Sequence, residues 1–287
     1  MNPSALLGRW LAERLPPGPA AWLETVAGRV RAAAGDRELY LAIGEVSRRV
    51  GREPLSITAA ELREAQASRP GWDPRDWTRD QAARVRLLLE STADGELLAR
   101  RLDTLCSAAD VGELVAFYRG LPLYPDPARH VLRAAEGVRS NMRVVFEAVA
   151  HRNPYPAEQF AQAAWNQMVL KALFVGTRLD LIAGLDTRAN PALARMLTDY
   201  AHERWAASRA VSPELWRCVG PFASGAVLDD FRRLMERGSD TERRAAALAL
   251  ADAKDDDARR LLESHAELAA AARAGRLDWE SLATAGG

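Results

Sequence analysis

Residues 151–176 read HRNPYPAEQFAQAAWNQMVLKALFVG. From Pro156 onward the apolar residues recur at helical spacing on most sides of the chain. Phe160, Ala164, Met168 and Ala172 form one row four residues apart, and Trp165, Val169 and Leu173 form another. A helix that is apolar around most of its circumference packs centrally in its domain. The pattern therefore predicts one central helix starting near Pro156. Pro154 and Pro156 hold the approach to it extended.

The same 3.6-residue period extends outward in both directions. Toward the N-terminus, helices are predicted at about 79–91, 94–106, 110–120, 125–137 and 138–150, with Asp110 and Glu113 marking one start and Pro122, Pro125 and Pro127 one break. Residues 3–15 form an amphipathic helix stopped by Pro16-Pro17-Gly18-Pro19. A second stretch runs from Trp22 to about Ala34, and Asp36 caps a third that Gly51 ends. Residues 51–80 are the most punctuated segment, with capping-box patterns at Thr58/Glu61 and Thr78/Gln81. Toward the C-terminus, Ser239 or Asp240 caps a helix and the acidic turn Asp255-Asp256-Asp257 leads into another. This Ala/Leu-rich pair resembles one HEAT-type hairpin. The tail Thr284-Ala285-Gly286-Gly287 is expected to fray.

Alternating apolar and polar runs with β-branched residues are almost absent, and the connections are short. The fold class is all-α: an antiparallel helical bundle or a short HEAT-like helical-repeat solenoid. Residues 1–75 are expected to form an N-terminal helical unit, separate or part of the same domain. Residues 76–287 form the main helical domain, HEAT-like at its C-terminal end.

The 287 residues are 48% hydrophobic, enough for a sizeable core. Lys and Arg total 39, and so do Asp and Glu, so the formal charge is zero. That balance argues against a nucleic-acid partner. Cys106 and Cys218 make no CxxC and fit a reducing compartment. No apolar run reaches the roughly 18 residues of a membrane span, and MNPSALLGRWLAERLPPG lacks the basic and apolar regions of a signal peptide. A cytoplasmic location is expected, peripheral at the inner membrane only through a partner.

The polar residues within the apolar stretches are the candidate site. Asn166 and Lys171 interrupt the central helix. A buried amide needs partners, and a buried amine needs a carboxylate or loses its proton. They either bond neighbouring backbone and reach solvent, or form a polar spot in an apolar pocket. On the helix opened by Asn190-Pro191, one side carries Leu193, Leu197, Tyr200 and Arg204, and another carries Arg195, Asp199, His202 and Glu203. Asp199 and Glu203, four apart, repel unless Arg195, Arg204, His202 or a metal joins them. No HExxH or paired ExxH motif supports a metal, and no metal or cofactor is assigned. His151, Arg152, Asn153 and Tyr155 precede the central helix and serve either the turn or a ligand. Asp186 makes an Asx-turn or pairs with Arg188. Trp165, Trp205 and Trp216 are core residues or line a pocket for a flat ring. No phosphate loop, nucleophile elbow or Cys–His neighbour marks an enzyme.

The segments HRNPYPAEQF (151–160), AAWNQMVLKALFVG (163–176), GLDTRANP (184–191), LARMLTDYAHERWAA (193–207) and VSPELWRCVGPF (211–222) resemble the blocks of the EboA family. These blocks cover roughly the C-terminal half, and the first 120 residues carry none. The resemblance implies a soluble helical protein that helps move a secondary metabolite or its precursor towards the cell envelope, beside enzyme-like and membrane-embedded partners of the same operon. It implies no catalytic residue.

Three functions follow as expectations. The first is a non-catalytic traffic or adaptor protein that binds a small aromatic or prenylated metabolite, or its carrier. Its site combines His151, Arg152, Asn153, Tyr155, Trp165, Asn166, Lys171, Asp199, His202, Glu203 and Trp205. The second is an enzyme with an acid–base or metal site around His202 and Glu203. The third is a scaffold that binds only other proteins.

Overall fold

The structure, a computed structural model, describes residues 1–33 and 35–285. The expected helix end at Ala34 and the fraying of Gly286-Gly287 lie outside the described residues. Among the described residues the chain is 71% helical, without a strand. It divides into two compact units, Met1–Phe160 and the chain from Ala161 on.

The first unit contains α1 (Pro3–Arg14), α2 (Pro17–Ala32), α3 (Arg37–Val50), α4 (Ala59–Ser68), α5 (Arg79–Ser91), α6 (Gly95–Ala108), α7 (Val111–Arg119), α8 (Val131–Arg139), α9 (Arg143–Ala150) and α10 (Tyr155–Gln159). The capping boxes read from the sequence at Thr58/Glu61 and Asp110/Glu113 form. Asp36 does not cap α3. Its carboxylate accepts from Arg101 Nε at 2.7 Å, an ion pair that outcompetes the local cap. The helix expected at 125–137 opens instead with a 3-10 turn, Pro127–His130, behind the left-handed Asp126, and α8 follows from Val131. Pro127 disfavours the right-handed helical region at the residue before it, and Asp126 lies outside that region at φ 49°.

Helix α5 packs on α1, α2, α3 and α7, all within the first unit. Surrounded in this way, α5 buries even its charges. Arg84 donates to Asp80 at 2.6 Å and to Ser47 Oγ at 2.8 Å, and Arg86 holds Glu24 at 2.6 and 2.9 Å.

The second unit contains α11 (Gln162–Phe174), α12 (Pro191–Ala206), α13 (Trp216–Val219), α14 (Val227–Arg237), α15 (Asp240–Ala251), α16 (Asp256–Glu263), α17 (Ala266–Arg273) and α18 (Trp279–Ala285). The single helix expected from Pro156 is therefore two. Phe160 and Ala161 are extended, with ψ of 134° and 154°, and separate α10 from α11. Helix α11 buries Trp165, Met168, Val169 and Ala172 but leaves Phe174 exposed. The centre of this unit is α15, which packs on α13, α14, α16, α17 and α18. Its buried face of Ala245, Ala246, Ala247, Ala249 and Leu250 is short enough to let neighbours approach closely. Gly220, just after α13, lies so close that a Cβ there would stand 2.2 Å from the Ala249 carbonyl oxygen.

Cys106 and Cys218 are free and buried, and burial pushes each thiol up to about 12. Among the described residues no helix is long and apolar enough to cross a membrane.

Candidate functional site

Helix α12 starts where the sequence predicts. Asn190 Oδ1 accepts the Leu193 N–H at 2.9 Å, and Pro191 occupies the first turn. Leu193, Leu197 and Tyr200 turn inward. On another face Arg195, Asp199 and His202, at steps of four and three, meet the turn after α13 and the start of α14. Between them lies a groove of about 370 Å³. Ala194, Val219, Phe222 and Val227 supply its apolar walls, and Arg195, Asp199, His202 and Asp230 its polar rim.

His202 is the best-positioned polar group there. Its Nε2 stands 2.8 and 2.9 Å from the two Asp230 oxygens. A carboxylate only accepts, so Nε2–H donates and Nδ1 of a neutral ring is left as an acceptor. The imidazole also lies 5.9 Å from the Trp205 ring. Trp205 stacks on Trp216 at 5.6 Å and 24°, and Trp216 meets Phe231 edge-on at 5.2 Å. Trp216 and Phe231 are fully buried, so this aromatic column anchors an exposed histidine to the core.

The groove combines apolar walls with a few convergent polar groups, which is the composition of a small-molecule site. Its lining includes no Ser, Cys or Lys. Its one hydroxyl, on Thr198, donates to the Ala194 carbonyl at 3.0 Å. The arrangement can bind an amphipathic molecule and can move a proton at His202. Among the described residues, no three His, Cys, Asp or Glu side chains group as a metal-ligand set.

Of the residues singled out from the sequence, Asp199 and His202 line the groove and Trp205 supports it. Glu203 and Lys171 are not in its lining. Burial lowers the pKa of Lys171. His202 takes Asp230 as its partner rather than Asp199 or Glu203, and Arg204 donates to the Ala210 carbonyl at 2.9 and 2.7 Å. Asp186 pairs with Arg217, at 2.6 Å through both oxygens, rather than with Arg188. Arg188 lies 4.9 Å over the Trp165 ring. Asn166 is buried against Asn190.

His151, Arg152, Asn153 and Tyr155 belong to the first unit. There Arg152 holds Asp76 at 2.8 Å and Asp73 at 3.2 Å. Asn153 donates to the Tyr118 and Ala148 carbonyls, each at 3.0 Å, and accepts the Tyr155 N–H at 3.0 Å. Tyr155 donates its hydroxyl to the Pro127 carbonyl at 2.5 Å.

Sequence reasoning missed Asp230 and Glu214. Asp230 lies in the polar first turn of α14, 28 residues from His202, and nothing in its spacing distinguishes it. Glu214 borders another cavity, of about 330 Å³, with Leu173, Thr177 and Val211. Its buried carboxylate accepts the N–H groups of Leu179 at 3.1 Å and Asp180 at 2.7 Å. Burial nevertheless pushes its pKa above the usual carboxylate value, and the Asp180 charge adds to the rise. A carboxylate between the apolar Val211 and Leu215-Trp216 was the available signal.

No match was found among curated proteins or among solved structures. A family profile described as metabolite traffic protein EboA matches residues 3–220. The match extends the likeness through the first 120 residues, where the sequence blocks had given none. It ends before Phe222, Val227 and Asp230, so one wall of the groove lies beyond it. With 218 of its 287 residues matched (3 through 220), this chain belongs to the EboA family, whose members are described as metabolite traffic proteins.

Proposed function

We propose that this chain is a non-catalytic carrier or adaptor in metabolite traffic that holds a small amphipathic metabolite in the α12–α14 groove. The observation that carries this reading is the His202–Asp230 pair, fixed by an aromatic column at the rim of an apolar groove whose lining holds no Ser, Cys or Lys. A groove of this size falls within the range of small-ligand pockets. The apolar walls would take an aromatic or prenyl portion, and Arg195, Asp199 and His202 its polar end. In the same reading the protein works in the cytoplasm and passes its cargo to proteins of its own operon, including membrane-embedded ones that face the envelope.

Native mass spectrometry of the full chain purified from its own host tests this. The expected result is a reproducible extra mass that disappears in Ala226→Trp, which fills the groove from its exposed edge, and in Asp230→Asn, both still folded by circular dichroism. A bare polypeptide mass in the unsubstituted protein sinks the carrier reading. If proteins co-purify with that bare chain, the scaffold reading takes its place.

One observation favours a second reading. A histidine whose Nε2–H is held by a carboxylate presents Nδ1 as a general base. In that case the bound molecule is converted, and His202→Gln keeps the extra mass while stopping the conversion.

A further inference from the structure

A separate groove of about 300 Å³ lies at the C-terminal end of α12, where Trp205 and residues 209–211 meet the last turns of α14. Its apolar floor is Trp205, Val211 and Leu234. Its charge comes from Arg209, Arg233 and Arg237. The neighbouring arginines are already engaged: Arg204 with the Ala210 carbonyl, Arg232 with Asp229, Arg243 with the Gly238 carbonyl and Arg244 with Asp240. Among the described residues, the guanidinium groups of Arg209, Arg233 and Arg237 have no carboxylate or carbonyl partner. The one carboxylate in the lining, Glu242, accepts the Ser239 N–H at 2.7 Å in the cap of α15.

Local structure presents these three cations rather than dispersing them. Arg233 lies 4.2 Å over the Trp205 ring. That stacking fixes the plane of the guanidinium and leaves its edge donors for an acceptor. Arg237 follows one turn later on α14, and two like charges four residues apart repel unless an anion lies between them. Arg209 is carried by a tight turn. Ser208 adopts the left-handed region at φ 53°, the Arg209 N–H donates to the Arg204 carbonyl at 2.8 Å, and Arg204 clamps the next carbonyl with two bonds. A strained residue held this firmly persists only where the surrounding structure over-determines it.

We propose that this groove binds a phosphate or diphosphate group on an amphipathic molecule. Arg209, Arg233 and Arg237 hold the oxyanion, and Trp205, Val211 and Leu234 meet the apolar portion next to it. Planar guanidinium forks suit the bidentate geometry of phosphate oxygens. The site is distinct from the His202–Asp230 groove: Trp205 lines this one, and its ring lies 5.9 Å from the His202 ring of the other.

Titration calorimetry of the full chain with octyl phosphate tests the proposal. A parallel arm measures co-sedimentation with phosphatidylcholine vesicles, with and without phosphatidic acid. Octyl phosphate is expected to bind, and Arg237→Gln and Arg233→Gln are each expected to weaken it by about tenfold or more, the size of a lost charge-assisted bond. Added salt weakens the binding further. Arg276→Gln, at an exposed arginine outside the groove, leaves it unchanged. Arginine-dependent binding of octyl phosphate assigns the site to a soluble phosphate ester. Arginine-dependent binding confined to phosphatidic acid vesicles assigns it to a lipid headgroup, and either result supports the site. Binding that is absent with both probes, or that persists unchanged in Arg237→Gln and Arg233→Gln, overturns it. Should Arg233→Gln unfold because the Trp205 contact is lost, Arg237→Gln, which lacks that contact, decides the question alone.

Discussion

The side chains of Asn166 and Asn190 bond each other in both directions: Asn190 Nδ2 donates to Asn166 Oδ1 at 2.9 Å, and Asn166 Nδ2 donates to Asn190 Oδ1 at 3.2 Å. The same Asn190 oxygen accepts the Leu193 N–H that caps α12 and the Gln162 amide at 2.9 Å. One amide pair thus ties α11 to the start of the helix that carries His202. Removing either partner orphans a covered polar group, which costs about 1–3 kcal/mol. Asn190→Ala also loses a cap worth roughly 0.5–2 kcal/mol. Urea unfolding should therefore rank Asn190→Ala as more destabilising than Asn166→Ala. The double variant should cost less than the sum, because the two share one interaction. An unchanged midpoint in Asn166→Ala would remove the structural role argued for it.

His202 and Asp230 predict the opposite pattern. The His202 side chain is 52% exposed, and an ion pair in that setting contributes at most about 1 kcal/mol. His202→Gln and Asp230→Asn should each leave the urea midpoint within about that range and, on the carrier reading, release any species that co-purifies in the groove. A large loss of stability in either variant would mean that the pair serves packing and not recognition.

The contrast between these pairs shows what the sequence could and could not convey. Helix starts were legible because a cap is local: Thr58 with Glu61, Asp110 with Glu113 and Ser239 with Glu242 each fall within one turn. Asp36 had the same look, but its carboxylate is taken by Arg101, 65 residues away. The break at Phe160 was hidden because Phe160 and Ala164 keep a four-residue step across two extended residues. Helix α15 looked like half of an ordinary hairpin because its charged ends are conspicuous and its buried alanines are not. Arg195, Asp199 and His202 could be placed on one face from their spacing alone, whereas Asp230 could be found only by folding. The cluster His151 to Tyr155 stood out for its composition. Asn153 spends its amide on Tyr118, Ala148 and Tyr155 within the first unit.

Gly220 supports a prediction about packing. It sits between α13 and Phe222, where an added methyl group would meet the backbone of α15 at Ala249. Backbone cannot rotate away as a side chain can, so Gly220→Ala must push the two elements apart. Overpacking of this kind costs about 1–3 kcal/mol, occasionally more. The expected result is a lower urea midpoint and weaker amide-exchange protection in α15. Because Phe222 and Val219 flank Gly220 and line the groove, loss of any bound species should follow from the same substitution. Protection in α15 equal to that of the unsubstituted chain would show that the contact is not tight in solution.

Glu214 makes the pH dependence testable. Burial raises its pKa above the ordinary 4.5, the neighbouring Asp180 charge pushes the same way, and the N–H groups of Asp180 and Leu179 together with Arg178 oppose the rise without cancelling it. In the window between the ordinary and the raised value, the folded chain keeps a proton that the unfolded chain has released. Stability therefore falls as pH rises through that window, and the deficit stays constant above it. Glu214→Gln keeps an oxygen that can accept both N–H bonds and removes the titration. The urea midpoint of the unsubstituted chain, compared with this variant from about pH 4 to pH 8, should decline relative to it across the lower part of the range and then run parallel. A relative rise would instead mean that the two N–H donors and Arg178 outweigh burial, making the carboxylate a stabilising anion at that cavity.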